Sequence, residues 1–323
     1  MTLYHNRTRA LESSLPLSLR KRVRHYLRGL LKRSAAARFP RYAFWTKLPR
    51  SLFLKYCPNV RRPDQRFIRD VLWGQYCVFL AIRIYDDLFD GHVNQRSLLV
   101  VSERFKLEAE RVFSYHFKSN SPFWNIYRKC FAQTTHAIVE VALLQQGTST
   151  SAQRFLKRYA KVSAIFKIGS AAVCTRYKRL NDFATISEFS NELAMAGHIL
   201  DDLEDVEEDL FQNRFNFVAR VLLAHQNGKS TDPIFINIAR NILYGDGLNR
   251  ILHEVHFHLG RAARAIRPLH LSSVERYLRL QLRNLENFAC GLQRLRAQVV
   301  LEKANNFEFR SLKKSTHQYA FRG

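Results

Sequence analysis

Asp201-Asp202-Leu203-Glu204-Asp205-Val206-Glu207-Glu208-Asp209 packs seven acidic side chains into nine positions, in a chain with only 27 Asp and Glu against 52 Lys and Arg. Carboxylates at i and i+4 on a helix repel by a few tenths of a kcal/mol per pair, so a cluster this dense calls for a cation. An earlier stretch, Asp86-Asp87-Leu88-Phe89-Asp90, has the same spacing. Asp-Asp-x-x-Asp thus occurs twice with apolar residues in the gaps, and the expectation is two acidic helices holding metal between them. In a chain with 12 Asp among 323 residues, chance would duplicate this pattern roughly once in several thousand sequences. The bland alternative is that both clusters merely offset the basic surface of the same molecule.

Composition sets the frame for those helices. At 323 residues and 46% hydrophobic the chain can bury a large core. Gly (12) and Pro (8) are scarce, and no alternating strand pattern is sustained between turn signals, so one all-α domain is expected. The net charge of +25 is lopsided: residues 1–62 hold 16 Lys/Arg and one acid, Glu12, while residues 63–323 hold 36 bases and 26 acids. Five cysteines (Cys57, Cys77, Cys130, Cys174, Cys290), widely spaced and without a C-x-x-C pair, fit reduced core thiols in a cytoplasm-like compartment. No apolar run reaches the length of a membrane span and no secretory h-region follows Met1, so a cytoplasmic protein, soluble or peripheral to a membrane, is expected.

The expected organisation is a basic N-terminal arm (1–62), a helical domain (63–304) and a polar tail (305–323). In the arm, Leu17 to Lys32 reads as an amphipathic helix with Leu19, Val23, Tyr26, Leu27, Leu30 and Leu31 on one face and Arg20, Lys21, Arg22, Arg24, Arg28 and Lys32 on the other. Such a helix can lie on an anionic membrane, dock on the body with its basic face solvated, or serve as an Arg-rich transit segment. Ser34 to Pro63, with four prolines, reads as an irregular joint. Helical periodicity then runs over 64–90, 98–117, 123–146, 152–174, 185–210, 217–225, 234–243, 248–266 and 274–302. Asp86 and Asp90 fall one turn apart near the C-terminus of the first of these, where the helix dipole is negative and carboxylates need compensation. Asp201, Asp205 and Asp209 share a face of the helix over 185–210, whose Thr185-x-x-Glu188 start has the form of a capping box. Oxygen-only ligands at this density suit Mg²⁺ or Mn²⁺, with waters and substrate phosphate completing the shell; Ca²⁺-loop and zinc spacings are absent.

The two Asp-Asp-x-x-Asp helices, with Lys167 upstream of the second and Asn213-Arg214-Phe215-Asn216-Phe217 after it, resemble the class I isoprenoid synthases, especially the trans-prenyl diphosphate synthase branch, over roughly 69–223. The resemblance implies a single all-α bundle around a deep apolar cavity, with the acidic helices facing each other at its mouth. It implies three Mg²⁺ ions that bind the diphosphate of an allylic prenyl diphosphate, whose C–O bond then ionises. Carried over residue by residue, the metal ligands would be Asp86, Asp87 and Asp90 with Asp201, Asp202 and Asp205. Lys167 would grip diphosphate, with Arg96 and Arg214 as weaker candidates. Ala81 and Ile82, at the fifth and fourth positions before the first motif, with Val78 deeper, would floor the cavity and admit long chains. A homodimer is the form relatives often take.

The departures matter. No Gly-Gly-Lys-Arg segment, which helps bind isopentenyl diphosphate in chain-elongating members, precedes the first motif. The Arg pair usual after the first motif is reduced to Arg96, and Gly197-His198 replaces the usual Phe-Gln. Asp205-Val206-Glu207-Glu208-Asp209 also looks like the Asp-Val-x-Glu-Asp motif of squalene and phytoene synthases, and Arg276-Tyr277 is similar to a pair in bacterial cyclases. Head-to-head condensation and terpene cyclisation therefore stand beside prenyl transfer. The reading from another class is a catalytically inactive basic protein that binds anionic lipid or nucleic acid through residues 1–62; net charge supports polyanion contact but no sequence-specific nucleic-acid recognition.

Overall fold

The computed structural model describes residues 2–33, 44–89, 91, 93–145, 152–211, 216–223, 245–291, 293, 294 and 298. Among them there are helices and no strand. In chain order these are α1 (Thr2–Ser13), α2 (Leu17–Arg33), α3 (Phe44–Tyr56), α4 (Arg62–Phe89), α5 (Leu98–Ser114), α6 (Pro122–Gln145), α7 (Ala152–Val162), a 3-10 turn (Ser163–Lys167), α8 (Ile168–Arg176), a second 3-10 turn (Leu180–Asp182), α9 (Phe183–Glu204), α10 (Val206–Phe211), α11 (Phe217–Leu223), α12 (Gly247–Ile266) and α13 over residues 272–291. The expected helix over 234–243 and the polar tail lie outside the described residues.

α4 is the axis of the bundle. Every residue from Trp73 to Ile82 is buried, the pattern of a helix enclosed on all sides. Pro63 sits in its first turn, and the Arg61 N–H donates to the Asp64 carboxylate at 3.2 Å, the reach-back half of a capping box. Gly91, at φ +72°, carries the chain out of the far end, where its N–H meets the Leu88 carbonyl at 3.4 Å. Gly74 lets α5 come close: a Cβ there would lie 2.8 Å from Phe113 Cζ. The second main pair is α9 with α12, tied by a buried link in which Glu192 lies 2.7 Å from His258 Nδ1 and 3.1 Å from Arg261 Nε.

Four local expectations change. The segment read as irregular contains α3, with Pro49 inside it. An internal proline costs about 3 kcal/mol, but Leu48, Leu52 and Phe53 are buried around it, each contributing about 1.5–3 kcal/mol. The single helix read over 152–174 is broken by the 3-10 turn. Thr134 of α6 serves that break: its hydroxyl donates to the Val162 carbonyl at 3.0 Å and accepts the Ile165 N–H at 3.2 Å. No capping box forms at Thr185. The second 3-10 turn leads into α9 at Phe183, and the carboxylate of Asp182, at the N-cap, receives Tyr56 at 2.7 Å and Arg179 at 3.0 Å. Finally, Cys57, Cys77, Cys130 and Cys174 are buried as expected, whereas Cys290 is exposed.

The amphipathic α2 does not stand apart. Val23, Tyr26, Leu27 and Leu30 belong to the same core cluster as α4, and in α1 Tyr4 packs on Trp73 and Tyr76 while Arg7 pairs with Asp70 at 2.8 Å. Lys21, Arg22, Arg24 and Arg28 face solvent. This is the docked arrangement with a solvated basic face. Among the described residues no helix is long and apolar enough to cross a membrane.

Candidate active site

The first acidic motif closes α4. Arg83, one turn earlier, places Nη1 2.8 Å from Asp86 Oδ2 and Nη2 2.9 Å from Asp87 Oδ1. The second approach is an ion pair by distance but is not aligned as a hydrogen bond. Asp87 is fully buried, and its other oxygen accepts the Tyr26 hydroxyl of α2 at 2.9 Å. Asp86 is partly open to solvent. Asp90 lies outside the described residues.

The second motif ends α9. The stretch read as one helix over 185–210 bends at Asp205, so that α9 stops at Glu204 and α10 starts at Val206. The i to i+4 bonds from Asp205 N to Asp201 O and from Asp209 N to Asp205 O persist at 2.9 Å across the bend. Asn216 explains where the bend falls. Its Nδ2 donates to the Asp202 carbonyl at 2.7 Å, the acceptor an unbroken helix would offer to Val206, and to Asp209 Oδ2 at 2.9 Å. Asn216 Oδ1 accepts the Ala219 N–H at 2.9 Å, capping α11. Asp202 Oδ2 takes the Phe217 N–H at 2.6 Å. Asp202 therefore serves the N-terminus of α11, where a carboxylate is favoured, while Asp201, Glu204 and Asp205 face solvent.

Crowding shows in the titration of these acids. Burial, then Glu204 and Asp205, raise the Asp201 carboxyl to about 6, with Arg83 opposing. Its side chain is nevertheless exposed, so solvent screens part of that shift. Burial is also the main cause that lifts Asp202 to about 7, with the Phe217 N–H pulling the other way. The opposing influence of Arg83 on Asp201 is an electrostatic link from the first motif to the second.

Asp201 and Glu204 stand on the rim of a cavity of about 630 Å³, within the range of small-molecule sites. Its wall is largely apolar: Phe44 and Trp45 of α3, Phe166, Leu193, Ala196, Gly197, Leu200 and Leu203 around α9, Leu259 of α12, and Tyr277, Leu285 and Phe288 of α13. Besides the two acids, Ser163, Ser190, His198, Gln281 and Asn284 are its polar members. Burial depresses the His198 imidazole to about 4, and its Nε2 lies 3.3 Å from Ser163 Oγ. Val78, Ala81 and Ile82, read as the cavity floor, are buried and are not among the residues that line this cavity. The Ala81 carbonyl accepts the Ser102 hydroxyl of α5 at 2.8 Å, which shows what α4 turns toward there.

Lys167 is buried, and its amine donates to Ser187 Oγ at 3.0 Å and Asn191 Oδ1 at 2.7 Å on α9. Burial lowers its pKa. Asn191 is ten residues before Asp201, about 15 Å along a helix, so the described lysine serves α9 away from the acidic rim. Gln75 fixes its backbone surroundings, giving Nε2 to the Ile165 carbonyl at 3.0 Å and taking the Gly169 N–H at 2.6 Å. Arg96 is exposed in the turn before α5, and Arg214 lies outside the described residues. Arg83, Trp45, His198, Gln281 and Asn284 were not singled out from sequence. Only Arg83, at helical spacing from Asp86 and Asp87, carried a signal that could have found it.

The donor chemistry discriminates among the acids as metal ligands. Asp87, enclosed and held by Tyr26 and Arg83, does not suit a hydrated cation. Asp201 and Asp205, exposed and mutually repelling, do, with Asp86 open to exchange. Among the described residues no three acidic, His or Cys side chains converge as a protein-only site would require. Open carboxylates of this kind suit an ion whose shell is completed by water and phosphate, the usual habit of Mg²⁺.

No family model matches the chain and no curated protein matches it. Among solved structures, a polyprenyl synthase from Roseobacter denitrificans superposes with a TM-score of 0.59 at 15% identity, covering 73% of this chain and 84% of its own. A geranylgeranyl pyrophosphate synthetase from the archaeon Geoglobus acetivorans does so with a TM-score of 0.64 at 12% identity, covering 86% of this chain and 95% of its own. The fold is thus the all-α bundle of these two synthases.

Proposed function

We propose that the protein is a Mg²⁺-dependent prenyltransferase that ionises an allylic prenyl diphosphate. The observation that carries this reading is the acidic end of α9, with Asp201 and Glu204, on a largely apolar cavity in a prenyl-synthase fold. The cavity would take the prenyl tail and keep water from the allylic carbon, while Asp201 on its rim, with Asp86 and Asp205, would hold Mg²⁺ against the diphosphate. Magnesium, when bound, supplies the neutralisation that makes diphosphate a competent leaving group. Asp202 positions α11 behind the rim rather than facing the ligand. Contact with anionic membrane, if made, would use the charge of Lys21, Arg22, Arg24 and Arg28 alone, because the apolar face of α2 is already in the core.

Incubation with Mg²⁺ and C10, C15 or C20 allylic diphosphates, with and without isopentenyl diphosphate, tests the reading. Diphosphate release that needs Mg²⁺ and is lost in Asp201→Ala supports it. The product then separates chain elongation from head-to-head condensation and cyclisation. The second reading, an inactive basic binding protein, is favoured by one observation: Arg83 and Tyr26 already satisfy Asp86 and Asp87. It predicts no release and no rise in melting temperature with Mg²⁺ and inorganic diphosphate.

A further inference from the structure

Arg83 is a forked cation shared by two unlike carboxylates. Its Nη2 faces Asp87, which is wholly buried and also held by Tyr26. Its Nη1 faces Asp86, which is partly solvated. Taking the partner from a buried carboxylate is costly, because the charge left behind is uncompensated. Breaking a half-exposed pair costs little, because water replaces the partner. The fork is therefore anchored on one tine and exchangeable on the other.

We propose that Arg83 is a tethered cation held on Asp86 of the first acidic motif in the resting protein, anchored by Asp87 and Tyr26, so that a divalent ion binding Asp86 competes with the Nη1 contact on Oδ2. This rests on the reading that the acidic pair takes metal and diphosphate, and it makes Asp87 a positioning residue instead of a ligand. Metal alone competes with the guanidinium and binds weakly. Diphosphate changes the balance, since a guanidinium released from Asp86 pairs well with phosphate oxygens. Metal and diphosphate therefore bind with positive coupling, which must be reciprocal.

Calorimetric titration of the full chain with Mg²⁺, with and without inorganic diphosphate, tests this in the wild type, Arg83→Gln and Arg83→Gln/Asp87→Asn. Without diphosphate, Arg83→Gln is expected to bind Mg²⁺ at least tenfold more tightly than wild type, and the gain in affinity that diphosphate brings should shrink at least tenfold. The double variant removes the buried charge that could unfold the single one, and it too should bind Mg²⁺ more tightly than wild type. Equal or weaker Mg²⁺ binding by the variants overturns the role of Arg83. If the wild type binds Mg²⁺ with diphosphate while the variants show no gain, the inference alone fails. If no form binds Mg²⁺ even with diphosphate, the metal site and the inference fall together.

Discussion

Tyr26 of α2 donates its hydroxyl to Asp87 of α4 at 2.9 Å, joining residues 61 apart in sequence, both buried. The basic N-terminal segment is thereby continuous with the acidic site. Its apolar face and one of its polar tips are both committed to the bundle.

Tyr26→Phe keeps the ring and deletes the donor. A buried acceptor left without its partner costs about 1–3 kcal/mol, so urea unfolding should show a loss of that size with an unchanged slope. A loss near zero would mean that the Asp87 charge is satisfied without α2.

Asp86→Asn and Asp201→Asn should move apo stability in opposite directions. Asp86 is paired with Arg83 at 2.8 Å, and losing a partly exposed pair costs about 0.2–1 kcal/mol. Asp201 is crowded by Glu204 and Asp205, so neutralising it relieves repulsion and should stabilise by a few tenths of a kcal/mol after solvent screening. Melting temperatures in chelator at pH 7.5 give the comparison, and two shifts of the same sign would contradict the assigned electrostatics.

His198 should make the fold acid-sensitive. Burial lowers its imidazole from 6.5 to about 4, so between those values the unfolded chain binds a proton that the folded chain does not. Stability from this group is full above pH 6.5 and is lost as pH falls toward 4. The shift corresponds to at most about 3 kcal/mol, reduced to roughly 1–2 kcal/mol because the ring is partly open to solvent. His198→Gln should therefore lose less stability between pH 7 and pH 4.5 than the wild type. The crowded acids Asp201 and Asp202 bind protons in the same interval and act with the opposite sign in both proteins, so only the difference between the two profiles reports His198.

The all-helical class and most helices were legible because they rest on local signals: period-3.6 stripes and the stop at Gly91. The acidic motifs were legible as a spacing. What each carboxylate does was not, because it depends on partners distant in sequence: Tyr26 for Asp87, the α11 backbone for Asp202. The breaks at 163–167 and 205 escaped for the same reason. Thr134 and Asn216 stabilise them from other elements, and nothing within the broken segments announces them. Which residues wall the cavity was not legible, because spacing along a helix cannot say which face meets a neighbour and which meets a void.

The position of the prenyl tail gives the last test, a comparison of Ala81→Phe with Gly197→Phe. Ala81 is fully buried with Ser102 of α5 bonded to its carbonyl, so a ring there overpacks a helix interface at a cost of about 1–3 kcal/mol or more. It should lower the melting temperature and impair every ligand alike. Gly197 lines the cavity, and a Cβ built on it meets nothing within 4 Å. Replacing an interior helical glycine also gains about 0.5 kcal/mol of helix propensity, so Gly197→Phe should keep or raise the melting temperature while its ring fills space beside the rim. If the prenyl tail runs past Gly197, competition against a fluorescent apolar probe will show affinity falling more for C20 than for C10 prenyl diphosphate. Equal losses at both lengths, in a variant that melts like the wild type, would place the tail elsewhere in the bundle.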